Sequence, residues 1–144
     1  MAWVDEVVAV CQPDRVYWIQ GDPEEETGFY ETLVQEGKGI QLNPLLRPNS
    51  YAFFSDPSDV ARIEQRTFIA SKKESDAGPT NHWRDPAELK AEMTALYKGS
   101  MKGRTMYVIP YMMGPLASEI SRAGIELTDS LYVVINMIKM TRVG

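Results

Sequence analysis

MKGRTMYVIPYMMGP, residues 101–115, is the stretch of sequence that decides the fold. It contains a run from Thr105 to Ile109 that is rich in β-branched, aromatic and other apolar residues, which is typical of a strand. The pair Gly103-Arg104 precedes this run, and we expect the segment 110–115 to form a rigid apolar turn in which methionines fill gaps. The stretch is therefore predicted to be a structural strand followed by a packing turn.

Predicted helices and strands alternate on both sides of this strand. The 3.6-residue spacing of apolar residues and the Asp-Pro starts predict helices, and short β-branched or aromatic runs predict strands. The predicted helical segments are 3–11, 22–37, 55–64 (a single turn), 85–99, 116–123 and a last helix capped by Thr128 or Asp129. The predicted strands are 15–20, 51–54, 66–70, 104–109 and 125–127, with loops at 38–50 and 71–85. This alternation predicts a mixed α/β domain.

Length and composition limit the classes of protein to which this chain can belong. A chain of 144 residues is the size of one domain. A net charge of −5 argues against broad nucleic-acid binding, which needs clustered Lys and Arg. The sequence contains no run of 18 apolar residues, so no membrane span is predicted. Its N-terminus carries acidic residues where a signal peptide would carry positive charge. The single Cys11 cannot form an internal disulfide, which agrees with a cytoplasmic protein.

A series of collinear motifs gives the chain a family resemblance. Together with residues 101–115, they are CQPD at 11–14, GDPEEE at 21–26, PNSY at 48–51, SDPSDVAR at 55–62, DAGPTNHW at 76–83, GIELTDS at 124–130 and MTR at 140–142. In this order they resemble the GTP-dependent phosphoenolpyruvate carboxykinases. The chain departs from the family pattern at His82, Tyr111, Met112, Ala117, Glu119 and Leu131.

The resemblance implies a fold and a function. It implies that residues 1–144 form a single, incomplete N-terminal domain on the substrate side, with a mixed sheet flanked by helices. The full-length enzymes of this family are lyases that convert oxaloacetate and GTP to phosphoenolpyruvate, GDP and carbon dioxide in gluconeogenesis. They use GTP and a divalent metal, manganese or magnesium, and we expect neither cofactor on this stretch alone. We expect it to be inactive by itself and to associate with the remaining, nucleotide-binding part of the enzyme.

Arg62 is the candidate substrate-binding residue. The resemblance implies that the Arg of the Asp-Val-Ala-Arg motif binds the carboxylate of oxaloacetate or phosphoenolpyruvate, and a guanidinium suits a planar carboxylate because it donates two parallel hydrogen bonds. The residues alone leave open a plain surface ion pair with Asp59 or Glu64 on the same helical turn.

The sequence offers no catalytic or metal-binding residue. The phosphate-loop pattern GxxxxGK[ST] is missing, and Cys11 and His82 have no partners at metal-ligand spacing. Residues 80–83 could be a lid or an ordinary connecting loop. The alternative function is a non-catalytic binding or interaction module that folds and binds a partner or an anionic metabolite.

Overall fold

The computed structural model describes residues 2–58 and 63–144. The helices in this part of the chain are α1 (Ala2–Cys11), α2 (Pro23–Gln35), α3 (Pro86–Tyr97) and α4 (Leu131–Met140). The strands are β1 (Arg15–Trp18), β2 (Gly39–Gln41), β3 (Tyr51–Phe53), β4 (Phe68–Ile69), β5 (His82–Trp83), β6 (Thr105–Met113), β7 (Arg122–Thr128) and β8 (Arg142–Val143). Short 3₁₀ turns span Glu64–Arg66 and Glu74–Ala77.

The chain divides into two compact units. The sheet unit comprises Pro13–Phe54 and Met101–Gly144, and the smaller unit comprises Met1–Gln12 and Ser55–Ser100. The prediction of a single domain over 1–144 stays a prediction.

The sheet unit is organised around β6. Strand β1 lies parallel to it, from Arg15 opposite Thr105 to Trp18 opposite Val108. Strand β7 lies antiparallel to β6 from Tyr107 to Met113, and β8 pairs antiparallel with Tyr111 and Met112, beyond the end of β1. The sheet is therefore mixed, as the sequence predicts.

Helices α2 and α4 cover the core of the sheet unit. The buried residues Ile19, Ile109 and Val134 form its centre. Partly buried apolar side chains from β1, β6, β8 and both helices surround them, namely Tyr17, Phe29, Tyr107, Leu131, Met137, Ile138 and Val143. The rings of Tyr17, Phe29 and Tyr107 meet edge to face, with centroids 6.2–6.3 Å apart. The signature strand thus contributes its side chains to the centre of the unit.

The predicted helix starts at Asp22-Pro23 and Asp85-Pro86 are confirmed. An Oδ1 atom of Asp22 accepts hydrogen bonds from the N–H groups of Glu24 (3.1 Å) and Glu25 (2.9 Å) at the start of α2. The same arrangement occurs at α3, where Asp85 accepts from Ala87 (2.8 Å) and Glu88 (3.1 Å). These bonds satisfy N–H groups that have no partner inside the helix.

The prediction of a turn from Pro110 onward is wrong at its start, because β6 continues to Met113. A proline is compatible with a strand where the ladder does not need its missing N–H, and its carbonyl oxygen still accepts from the N–H of Gly144 (3.1 Å). The helix predicted at 116–123 is also wrong. Ser118 N–H bonds to the Pro115 carbonyl (3.3 Å) and Ser121 N–H to the Ser118 carbonyl (3.0 Å), so this segment is a pair of turns that joins β6 to β7.

Three further predictions need correction. Strand β2 lies within the predicted loop 38–50 and pairs antiparallel with β3. The predicted loop 71–85 contains the second 3₁₀ turn and β5. Helix α4 begins after Ser130, since Thr128 still belongs to β7 and its Oγ1 accepts from the N–H of Ser130 (3.1 Å).

Candidate functional site

Arg62, the predicted substrate-binding residue, lies outside the described residues, as do residues 59–61 of the helical turn predicted at 55–64. The structure describes both flanks of this segment. Before it, an oxygen of Asp56 accepts from the N–H of Ser58 (2.8 Å) and from its hydroxyl (2.6 Å). Both bonds lower the pKa of Asp56, because they favour the charged carboxylate, and the bond from the Ser58 hydroxyl has the larger effect.

The other flank is a 3₁₀ turn closed by Thr67. The N–H of Thr67 donates to the Glu64 carbonyl (3.1 Å), and the Thr67 hydroxyl donates to the Ile63 carbonyl (2.8 Å). The alternative pairing of Arg62 with Asp59 or Glu64 stays a prediction, as does its binding of a carboxylate.

The loop around His82 is held by specific contacts. Trp83 Nε1 donates to the Ser71 carbonyl (2.9 Å) and Asn81 Nδ2 to the Ala77 carbonyl (2.7 Å). The exposed His82 lies opposite Phe68 in the parallel β4–β5 pair, with ring centroids 5.9 Å apart. These bonds close the segment upon itself within the smaller unit, and they leave the choice between lid and connecting loop open.

Arg104 and Asp14 anchor the two strands at the start of the sheet. The N–H of Asp14 donates to the Arg104 carbonyl (3.0 Å), and the Asp14 carboxylate accepts from the N–H of Gly103 (2.9 Å). The Arg104 guanidinium forms an ion pair with Asp129. Arg104 thus ties the signature stretch to the end of β7, which agrees with the structural role predicted for residues 101–115.

An open groove of about 360 Å³ lies beside β1 and α2, and sequence reasoning did not find it. Its polar lining includes Arg15, Tyr17 and Glu25. The Glu25 carboxylate accepts from the N–H groups of Gln20 (3.0 Å) and Gly21 (2.8 Å). A hydrogen bond to this carboxylate, followed by burial, raises the pKa of Tyr17 above its ordinary value of 10.0.

The polar groups of this groove are thus engaged within the chain. Glu25 is bound by the backbone donors of Gln20 and Gly21, while the Arg15 guanidinium lies 5.8 Å from the centroid of the Tyr17 ring. From the sequence this region is predicted only as the start of the helical segment 22–37.

A second groove, of about 470 Å³, lies next to the β6–β7 ladder and is mainly apolar. Its lining includes Pro110, Met112, Leu116 and Ile125. Within the described residues, no three His, Cys, Asp or Glu side chains come together as a metal site would require. Each helix described is too short or too polar to cross a bilayer.

Comparison with known proteins identifies the family. The family model of the phosphoenolpyruvate carboxykinase N-terminal domain matches residues 2–144. The chain belongs to this family.

Curated relatives agree with this assignment. The phosphoenolpyruvate carboxykinase (GTP) of Treponema pallidum (strain Nichols) is 59% identical over 143 residues, which are 99% of this chain and 23% of the relative. The protein of the same name from Corynebacterium kroppenstedtii is 56% identical over 142 residues, again 99% of this chain and 23% of the relative. That of Paenarthrobacter aurescens is 51% identical over all of this chain and 24% of the relative. The chain therefore spans about a quarter of the length of these relatives.

Proposed function

We propose that this chain is the substrate-side N-terminal part of a GTP-dependent phosphoenolpyruvate carboxykinase of gluconeogenesis, a lyase located in the cytoplasm. The observation that carries the proposal is the match of the family model to residues 2–144, together with 51–59% identity to relatives of that name. The reaction is the loss of carbon dioxide from oxaloacetate, which leaves an enolate, followed by transfer of the γ-phosphoryl group of GTP to the enolate oxygen. Its products are phosphoenolpyruvate, GDP and carbon dioxide.

The share of this chain in the reaction is to hold the substrate. A divalent metal, manganese or magnesium, supplies charge neutralisation in phosphoryl transfers of this kind. The described residues do not bring together a set of side chains that fits such an ion. We therefore assign GTP and the metal to the part of the enzyme that this chain does not span, and no step through either is assigned here.

Arg62 is the residue proposed to bind the substrate carboxylate. Its guanidinium stays protonated at any physiological pH and donates two parallel hydrogen bonds to a planar carboxylate. The turns at Asp56–Ser58 and Ile63–Thr67 fix the backbone on both sides of the segment that carries it.

A chimeric enzyme tests this proposal. Residues 2–144 replace the matching residues of the Treponema pallidum relative, and GTP-dependent release of carbon dioxide from oxaloacetate is measured. We expect an active chimera, in which Arg62→Gln lowers kcat/KM roughly 10- to 100-fold, because a hydrogen bond to a charged group contributes about 1.5–3 kcal/mol. Arg62→Lys keeps the charge but loses the paired donors, so it should lower kcat/KM by less than Arg62→Gln does.

Arg66→Gln is the matched control, since it removes the same charge four residues away. An inactive chimera would contradict the family function, whereas an active chimera that Arg62→Gln leaves unchanged would contradict the role of Arg62 alone.

Association with the rest of the enzyme is tested separately. Purified 1–144 is expected to show no turnover by itself, and mixing it with the remaining three quarters of the Treponema pallidum relative is expected to restore activity. Turnover by 1–144 alone would contradict this assignment. Failure of the two parts to associate would instead favour the alternative of a separate, non-catalytic module.

A further inference from the structure

The carbonyl group of Ile63 is held by two hydrogen bonds. Ile63 directly follows Arg62 in the sequence. Its carbonyl oxygen accepts from the N–H of Arg66 (3.0 Å) and from the hydroxyl of Thr67 (2.8 Å). A carbonyl oxygen has two lone pairs, so both of its acceptor positions are used. The backbone one residue after Arg62 is therefore fixed by its neighbours in the 3₁₀ turn.

The hydroxyl of Thr67 makes a link that the backbone does not make. Other threonine hydroxyls in the described part of the chain also donate to the carbonyl four residues earlier, namely Thr27, Thr32, Thr94 and Thr141. Inside an α-helix the backbone N–H already bonds to that same carbonyl, so the hydroxyl adds to an existing link. Thr67 instead has an extended backbone (φ −104°, ψ 121°), and its N–H bonds to the Glu64 carbonyl. The hydroxyl is thus the group that joins Thr67 to Ile63.

Thr67 is itself tied to the rest of the smaller unit. Strand β4 begins at the next residue, Phe68, and lies parallel to β5. The Arg84 guanidinium lies 5.5 Å from the centroid of the Phe68 ring and pairs with Glu92 of α3 at 2.7 Å. The Thr67 hydroxyl therefore connects the backbone beside Arg62 to a strand pair and a helix of the same unit.

We propose that Thr67 is a positioning residue for Arg62, an inference that rests on the proposed role of Arg62 in binding the substrate carboxylate. A guanidinium binds a carboxylate through two parallel hydrogen bonds, and a displacement of about 1 Å can cost a large part of the activity. Thr67 acts through the backbone rather than on the substrate. Its hydroxyl holds the Ile63 carbonyl, and with it the end of the backbone segment from which the Arg62 side chain extends.

Substitution of Thr67 in the chimeric enzyme tests this role. Thr67→Val keeps the β-branched shape and removes the hydroxyl. We expect kcat/KM for oxaloacetate to fall roughly 2- to 10-fold, as for one lost hydrogen bond, through a higher KM for oxaloacetate and with the KM for GTP unchanged. Thr67→Ser, which keeps the hydroxyl, should behave like the parent chimera.

Thr94→Val is the matched control. It removes the same kind of bond, from the Thr94 hydroxyl to the Lys90 carbonyl (2.7 Å), in helix α3 of the same unit. It should leave both KM values unchanged. Circular dichroism and thermal unfolding of each variant check that it is folded.

A double-variant comparison separates positioning from a general loss of structure. If Thr67 acts through Arg62, Thr67→Val should have no further effect on kcat/KM once Arg62→Gln is present. An equal effect of Thr67→Val in both backgrounds overturns the inference. If Arg62→Gln lowers kcat/KM and Thr67→Val does not, this inference alone is overturned. An inactive chimera, or one that Arg62→Gln leaves unchanged, overturns the proposed function and this inference with it.

Tryptic cleavage adds a readout that does not depend on activity. Trypsin cleaves after arginine, so the rate of cleavage between Arg62 and Ile63 measures how often the bonds to the Ile63 carbonyl open. In the chimera, Thr67→Val should be cleaved there roughly 2- to 10-fold faster than the parent, and Thr94→Val at the parent's rate. Mass spectrometry identifies the cleaved bond, with cleavage after Arg84 as the internal reference. Equal rates for the two valine variants would show that the hydroxyl does not hold this backbone, which overturns the inference.

Discussion

At the scale of single residues, Gly21 has a role that no motif in the sequence indicates. Its φ is +78°, and a Cβ there would lie closer than van der Waals contact to the carbonyl oxygen of Val143. Gly144, with φ +101°, faces the Gln20 carbonyl in the same way. Two backbone segments that are more than 120 residues apart thus pass each other closely near the C-terminal ends of β1 and β8. The sequence places Gly21 in a family motif, but only the fold shows what it touches.

Gly21→Ala is therefore expected to destabilise the protein more than the same substitution at a glycine that has a similar φ but no neighbouring atoms around the added Cβ. Gly37→Ala is the matched control, because its φ is +71° and nothing lies within 4 Å of the added Cβ. The control should lose about 1–2 kcal/mol from the left-handed conformation. Gly21→Ala should lose at least about 1 kcal/mol more, through overpacking. Urea denaturation of both variants measures the difference, and equal losses would contradict the close passage.

Three tyrosines predict a loss of stability at alkaline pH. A hydrogen bond to Glu25 raises the pKa of Tyr17, and burial raises the pKa values of Tyr30 and Tyr107. A raised pKa in the folded state means that the unfolded chain loses these protons first. The free energy of unfolding is therefore intact below about pH 10 and falls as the pH rises through the folded-state pKa values.

Tyrosinate absorbance measures this effect. The absorbance should appear at higher pH in the native protein than in urea, and Tyr17→Phe should reduce the slope of stability against pH above about 10. Coincident native and urea titrations would show that the tyrosines are not perturbed by the fold.

At the scale of elements, the sequence predicted what local chemistry determines. The caps Asp22 and Asp85 and the cores of the four helices in the described part of the chain could be predicted from residue type and spacing alone. Pro110 misled the prediction of β6, because proline usually interrupts a strand and only the pairing on both sides shows that this one does not. Strand β2 could not be predicted, since its three residues are ordered by β3 and by contacts with α2 rather than by a pattern of their own.

The β2–β3 hairpin is held to the helices by aromatic rings. Tyr51 stacks on Tyr30 of α2, with centroids 4.3 Å apart and planes 14° from parallel. Phe53 packs against Tyr132 of α4 at 5.1 Å. Such pairs contribute about 0.5–1.5 kcal/mol beyond the area they bury. The position of the hairpin is therefore stabilised by aromatic rings from both α2 and α4.

Tyr51→Ala should lower the free energy of unfolding by about 1–2 kcal/mol, because it removes the stacked ring and its buried area. Phe54→Ala is the control, since that ring is 82% exposed and adjoins the same strand. It should change stability by less than about 0.5 kcal/mol. Denaturant unfolding compares the two, and a larger loss for Phe54→Ala would contradict the docking of the hairpin through Tyr51.

At the scale of the whole molecule, the two units differ in how much they bury. Most fully buried side chains belong to the sheet unit, including Ile19, Leu33, Met106, Val108, Ile109 and Val134. Helix α3 of the smaller unit has no buried residue. The family and the mixed sheet could be predicted from the collinear motifs. The division into units could not, since it depends on which distant segments meet.

Hydrogen exchange is expected to follow this difference. Amides of β6 should exchange slowest, because their hydrogen bonds lie in the buried centre of the sheet, and those of α3 should exchange much faster through local opening. Mass spectrometry of peptides that cover 105–113 and 86–97 measures both rates. Equal protection of the two segments would show that the units unfold together.

The position of β6 also has a consequence for synthesis of the chain on the ribosome. Its partners are residues 15–18, 122–128 and 142–143, so β1 emerges about 90 residues before the strand it pairs with. At roughly 5–20 residues per second, β1 and α2 must wait several seconds with their apolar faces uncovered. Non-local pairing of this kind is intrinsically slow. The nascent sheet unit is thus exposed to chaperones and to aggregation until almost the last residue of this stretch has been added.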